Sequence, residues 1–198
     1  MKKFTLIILL FISTIAFSQN EMSTKTGSVN FEASVPLFEE VKATNKTAFC
    51  VLNTKTGAIT STVLIKDFRF KIPMMEEHFN DNYMESADYP KATFKGSIEG
   101  FNLNIIDASP KEFKLRGTLK LHGKYKNICT IAILRKVDYK LEIISDFDLN
   151  SSDFNILIPE ILSLKVAKTV NINVLIEKGL ESITNLGKLF KEGGIKKQ

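Results

Sequence analysis

The stretch KEFKLRGTLKLHG, Lys111 to Gly123, constrains this chain more than any other. Phe113, Leu115, Leu119 and Leu121 fall on one side with Gly117, while Lys114, Arg116, Thr118 and Lys120 fall on the other. A period of two gives a pleated strand one apolar and one wet face, and a helix cannot reproduce it. The alternation recurs with Val29, Phe31, Ala33 and Val35 in SVNFEASV, and with Val170, Ile172, Val174 and Ile176 in KTVNINVLIE. It recurs again in VDYKLEIISDFDL, where Val137, Tyr139, Leu141, Ile143, Phe147 and Leu149 keep register and Ser145 breaks the face. Further strands are predicted near residues 46–53, 58–71, 92–101 and 127–135, about eight in all. NTKTG, Asn53 to Gly57, and HGKYKN, His122 to Asn127, supply turn chemistry between neighbours.

About eight antiparallel strands in one domain must hide their edges, and a closed barrel does so completely. A barrel of that size is just wide enough to be filled by side chains or to hold one small ligand. The chain has 15 Phe and no Trp, which favours an apolar interior whose aromatic rings carry no polar tip to satisfy. A two-sheet sandwich shows the same alternation and stays open on this ground alone.

Both ends differ from the middle. MKKFTLIILLFISTIAFS combines a basic start at Lys2 and Lys3, a short apolar run and a small-residue exit, the pattern of a secretory signal peptide with cleavage expected after Ser18. The apolar run from Leu6 to Ile12 falls short of the roughly 20 residues a membrane anchor needs. The expected organisation is a signal peptide over 1–18, one barrel domain over 19–178, and an amphipathic helix or tail over 179–198. In that tail Leu180, Ile183, Leu186, Leu189 and Phe190 share a helical face, suited to covering a barrel end or resting on a membrane surface. The expected location is the periplasm or the exterior.

Losing Lys2 and Lys3 with the leader would lower the net charge from +5 to +3, with no cluster of Lys, Arg and aromatics of the kind nucleic acid requires. Cys50 and Cys129 each lie in a strand-like apolar run, compatible with two buried free thiols or one disulfide. Neither has a CxxC partner. The chain contains no GxSxG, P-loop, dinucleotide glycine pattern or HExxH, and its two histidines, His78 and His122, lack second ligands at metal spacing. No metal, cofactor or catalytic residue is therefore expected, and a hydrolase built on Glu76, His78 and Glu85 would need those groups to converge on one pocket.

Three blocks carry a family resemblance: MEEHFNDNYMESADYPKATFKG from Met75 to Gly96, GTLKLHGKYKNI from Gly117 to Ile128, and NSSDFNI from Asn150 to Ile156. Together they resemble the YceI-like family of lipocalin-like polyisoprenoid-binding proteins, over about Gly27 to Lys178. Glu76, His78, Phe79, Glu85, Tyr89, Pro90 and Phe94 fall on matching positions. Met75 and Ser151 stand where the family usually has Arg, and Asn155 where it has Gly, which puts any anionic headgroup contact there in doubt. The resemblance implies an all-β, closed, antiparallel eight-stranded lipocalin-like barrel with short helical turns, and a non-enzymatic protein holding a polyisoprenoid, a quinone or a similar lipid. On that footing Phe31, Phe94, Phe113, Leu115, Leu119, Leu121, Leu141, Ile143 and Phe147 are the expected ligand-lining residues, being on the apolar faces of predicted strands. The competing expectation is a structural or stress-related barrel whose interior is filled. The Glu76–Pro90 connection is expected to cross one barrel end as a helical turn, with Tyr-Pro starting the next strand.

Overall fold

Nine strands form one antiparallel sheet in the computed structural model, which describes residues 20–162 and 164–180. They are β1 (Glu21–Ser34), β2 (Lys42–Asn53), β3 (Ala58–Leu64), β4 (Arg69–Phe70), β5 (Lys91–Ile98), β6 (Lys111–Leu121), β7 (Lys124–Val137), β8 (Lys140–Asn150) and β9 (Val166–Gly179). Neighbours run β1-β9-β8-β7-β6-β5-β3-β2, and β1 also pairs with β2, so eight strands close into a barrel. Closure leaves no free edge among them. The two-residue β4 is an addition to β2, with Phe70 opposite Ala43. One short helix, α1 (Pro73–His78), runs into a wider turn over Phe79–Tyr83. Pro73 suits its place there, because a proline in the first helical turn forfeits no intrahelical bond.

Four sequence expectations need correction. Val137 ends β7 and Tyr139 sits in a tight turn with Asp138 at φ 45°, so the predicted strand from Val137 begins at Lys140 instead. The expected strand over 58–71 stops at Leu64, where a 3-10 turn over Ile65–Asp67 intervenes. β1 starts at Glu21, ahead of the alternating segment, with register shifts between Thr24 and Val29 that hide its period. The C-terminal helix is not borne out: Gly179 still belongs to β9, Leu180 donates its amide to the Tyr139 carbonyl at 2.6 Å, and 181–198 lie outside the described residues. The expected signal segment over 1–18 also lies outside them.

Alternating strand direction gathers the loops after β1, β3, β6 and β8 at one end of the barrel, and the remaining connections at the other. The second end is plugged. Met22, Leu52, Ile98, Leu115, Leu134 and Leu141 meet there, and the loop between β5 and β6 drops Ile106 among them. That loop is tied back by the Lys136 amide to the Asp107 carbonyl at 2.7 Å, by Lys136 Nζ to the Leu103 carbonyl at 3.0 Å, and by the Lys111–Asp107 ion pair at 2.8 Å.

Candidate functional site

The first end is open and leads into a cavity of about 600 Å³ that runs down the barrel axis. Its walls are the inward-facing residues of the strands, and its mouth is lined by the loops after β1, β3 and β8. Apolar side chains make up most of the lining. Apart from the Cys50 thiol on β2, the charged or titratable exceptions, Glu39, His78, Tyr83 and Lys165, come from the mouth loops. Deeper in the cavity, Ser145 Oγ donates to the Ile131 carbonyl at 2.9 Å, which explains how a hydroxyl fits the inner face of β8.

Of the nine residues the sequence suggested, Phe31, Phe94, Leu115, Leu119, Leu121, Ile143 and Phe147 line this cavity. Phe113 and Leu141 do not. They share the inward face but sit lower, Phe113 packed against the plug and Leu141 inside it at 1% exposure. Alternation reports which face a residue occupies and carries no information about height along the barrel axis, so these two were indistinguishable from the rest.

Other lining residues went unnamed as sites. Val170, Ile172, Val174 and Ile176 line one wall from β9. Their alternation was visible in sequence, whereas the contribution of the loops was not. Phe154, the largest fully buried side chain, comes from the 3-10 turn after β8, where Asn150 accepts the Ser152 amide and Asn155 takes φ 58°. Asn is among the few non-glycine residues that enter this left-handed region readily, so the turn survives where Gly would be usual. Met75 and Ser151, the two positions noted for lacking Arg, both line the cavity.

The mouth is held by two clusters. Phe79, at the end of α1, stacks on Phe31 of β1 with ring centroids 5.2 Å apart and meets Phe68 and Phe70 at 5.7 and 5.1 Å. On the opposite side, His122 in the β6–β7 hairpin faces the Phe154 carbonyl through Nδ1 at 3.0 Å and Glu85 through Nε2 at 2.9 Å. Tyr89 packs on that ring at 4.4 Å, and a side chain at Gly123 would meet Tyr89 at 2.9 Å. The acidic, aromatic connection thus serves as architecture: Glu76 bonds Arg69 and the Phe70 amide, Glu85 bonds His122, and Tyr89 covers the hairpin. Glu76 and Glu85 are engaged with separate partners, and the described residues hold no cluster of three potential metal ligands.

Cys50 and Cys129 are free thiols, which answers the pairing question. Cys50 is buried on the cavity wall, where desolvation pushes its thiol up to about 12. Cys129 is exposed on the outer face of β7, so of the two alternatives, two buried free thiols or one disulfide, the thiols are free but only Cys50 is buried.

Residues 12–178 match the YceI-like domain, most of the sequence. The chain belongs to the YceI-like family. Solved structures with the same fold include a polyisoprenoid binding domain from Saccharophagus degradans implicated in plant cell wall breakdown, at 14% identity and TM-score 0.68, covering 82% of this chain and 99% of that one. BcnA of Burkholderia cenocepacia follows at 16% identity and TM-score 0.63, covering 76% and 95%. The YceI protein of Campylobacter jejuni matches at 19% identity and TM-score 0.57, covering 73% and 88%. At these identities the likeness establishes the barrel. No curated protein matches the chain.

Proposed function

We propose that this YceI-like chain is an exported, non-enzymatic carrier that holds a long-chain isoprenoid or similar amphiphilic lipid, such as a quinone tail, inside its barrel. The observation that carries the reading is the apolar cavity of about 600 Å³ open at one end. The binding domain from Saccharophagus degradans, which shares the fold, supports the choice of ligand class. Burial contributes roughly 0.8 kcal/mol per CH2, or about 3–4 kcal/mol per isoprene unit. Three sheltered units, about 9–12 kcal/mol, would then offset all but the upper end of an association cost of about 4–15 kcal/mol. With Met75 and Ser151 in the lining, the lipid's polar end needs no anionic group.

Membrane contact fits the same reading. Leu37, Phe38, Met74, Leu157, Ile161 and Leu164 are exposed, and all lie on loops of the open end. Apolar tips around a hydrocarbon tunnel suit transient contact with a bilayer, where such a guest would be collected.

The test is native mass spectrometry of protein purified from cells without detergent, followed by organic extraction of the same sample. A stoichiometric apolar lipid is expected. Protein that is repeatedly lipid-free and takes up no added polyprenol or quinone would favour a purely structural barrel. Export is tested by the mature N-terminus in fractionated cells, expected at Gln19.

A further inference from the structure

The cavity has a floor, and its depth bounds the guest. Along β8 the lining residues are Ile143, Ser145, Phe147 and Leu149, continuing to Ser151 in the turn above. Eight residue steps at ~3.3 Å, tilted by ~40° to the barrel axis, span roughly 20 Å. Below Ile143 the axis is blocked. Cys50, Ile143 and Ile176 separate the cavity from a void of only about 10 Å³, beneath which Leu52 and Leu141 close the interior.

We infer that the barrel is a blind tunnel which takes its guest tail first and shelters about four isoprene units. This rests on the reading above, that the guest is a polyprenyl-like lipid. Two independent measures support that length. An extended peptide advances about 3.4 Å over three backbone bonds, so the four chain bonds of an isoprene unit advance roughly 4.5 Å, and 20 Å holds about four units. An apolar cavity of about 150 Å³ takes one six-carbon benzene, so a cavity of about 600 Å³ takes roughly 24 carbons, between four and five five-carbon units.

The direction of entry follows from polarity. A head group carried to the floor would be stripped of water among Cys50, Ile143 and Ile176, with one thiol and the neighbouring Ser61 hydroxyl as the polar groups of that wall, whereas at the mouth it meets solvent, Glu39, His78, Tyr83 and Lys165. Units beyond the fourth would emerge into water or a bilayer and add little to affinity.

The experiment is a native mass spectrometric titration with prenols of two, three, four, five and nine units, on wild-type protein and on Cys50→Phe and Cys50→Ala. In wild type each added unit should tighten binding at least tenfold up to the fourth, since each buries about five carbons. Further units should change it less than about threefold. A phenyl ring at position 50 occupies the floor, so Cys50→Phe should move the break to three units, while Cys50→Ala leaves it at four. Folding of both variants is checked by circular dichroism, and the wild-type series stands alone if Cys50→Phe does not fold. Affinity that keeps climbing through five and nine units would overturn the four-unit tunnel and leave the carrier reading intact. A failure of every prenol to bind would overturn the carrier reading itself, and this inference with it.

Discussion

Gly96 of β5 and Gly117 of β6 stand directly opposite each other, and the ring of Phe94 lies across both. Cβ atoms built on them would meet the Phe94 ring tip at 2.7 and 2.6 Å, and would press on the Arg116 and Lys95 carbonyls. The glycine pair is therefore a slot that lets a cavity-lining ring lie flat along the wall. Backbone cannot yield cheaply at such distances, so Gly117→Ala should cost about 2–3 kcal/mol. For a domain of this size that corresponds to a fall in melting temperature of about 5–10 °C. An unchanged melting curve would show that the ring does not rest on the glycines.

Height in the barrel separates two leucines that sequence treats alike. Leu141 is enclosed in the plug at 1% exposure, whereas Leu119 borders the open cavity. Leu141→Ala leaves a void surrounded by packed side chains and should cost about 3–4 kcal/mol, read by chemical denaturation. Leu119→Ala removes atoms already facing open space, so it should cost roughly half that or less while weakening lipid binding. Equal losses of stability would mean that the upper lumen is packed like the lower.

The strands were legible because each inward face is apolar and each outward face polar, as in Phe113 to Leu121. Register shifts between Thr24 and Val29 concealed the first half of β1, and a two-residue turn at Asp138 was concealed by apolar Val137 and Tyr139 on either side. The wall of the site was legible for the same reason as the strands. Its mouth was not: Phe68, Phe70 and Phe79 come from an irregular connection without a period, and their convergence on Phe31 is set by the tertiary fold. The His122–Glu85 contact spans 37 positions, and no local pattern announces a pair so separated.

The two thiols should differ sharply in chemistry. Burial holds Cys50 neutral until pH approaches about 12, while Cys129 is exposed. Alkylation at pH 8 should label Cys129 alone, with Cys50 labelled only after denaturation, as counted by intact mass. Stability should follow the same asymmetry. The folded thiol holds its proton more tightly than the unfolded one, so its contribution is complete below about pH 9, the ordinary value, and is lost as pH rises toward 12. Cys50→Ala should flatten that part of the stability profile relative to wild type; parallel profiles would place Cys50 in contact with water.

The absence of tryptophan from the sequence makes the lumen readable by fluorescence. Phe147 lines the cavity midway between Ile143 and Ser151, opposite Ile172 of β9, while Phe113 packs against the plug below. Phe147→Trp and Phe113→Trp each introduce one indole, both on inward faces and both adding similar volume. A brominated hydrocarbon chain quenches an indole only on near contact. Titration with a brominated long-chain alcohol should therefore extinguish most of the emission of Phe147→Trp and little of that of Phe113→Trp, with circular dichroism confirming that both variants fold. Equal quenching would place the chain at the floor as much as in the upper lumen. Quenching of neither would remove the lipid from the barrel altogether, because Phe147 lies on the wall that any chain entering from the mouth has to pass.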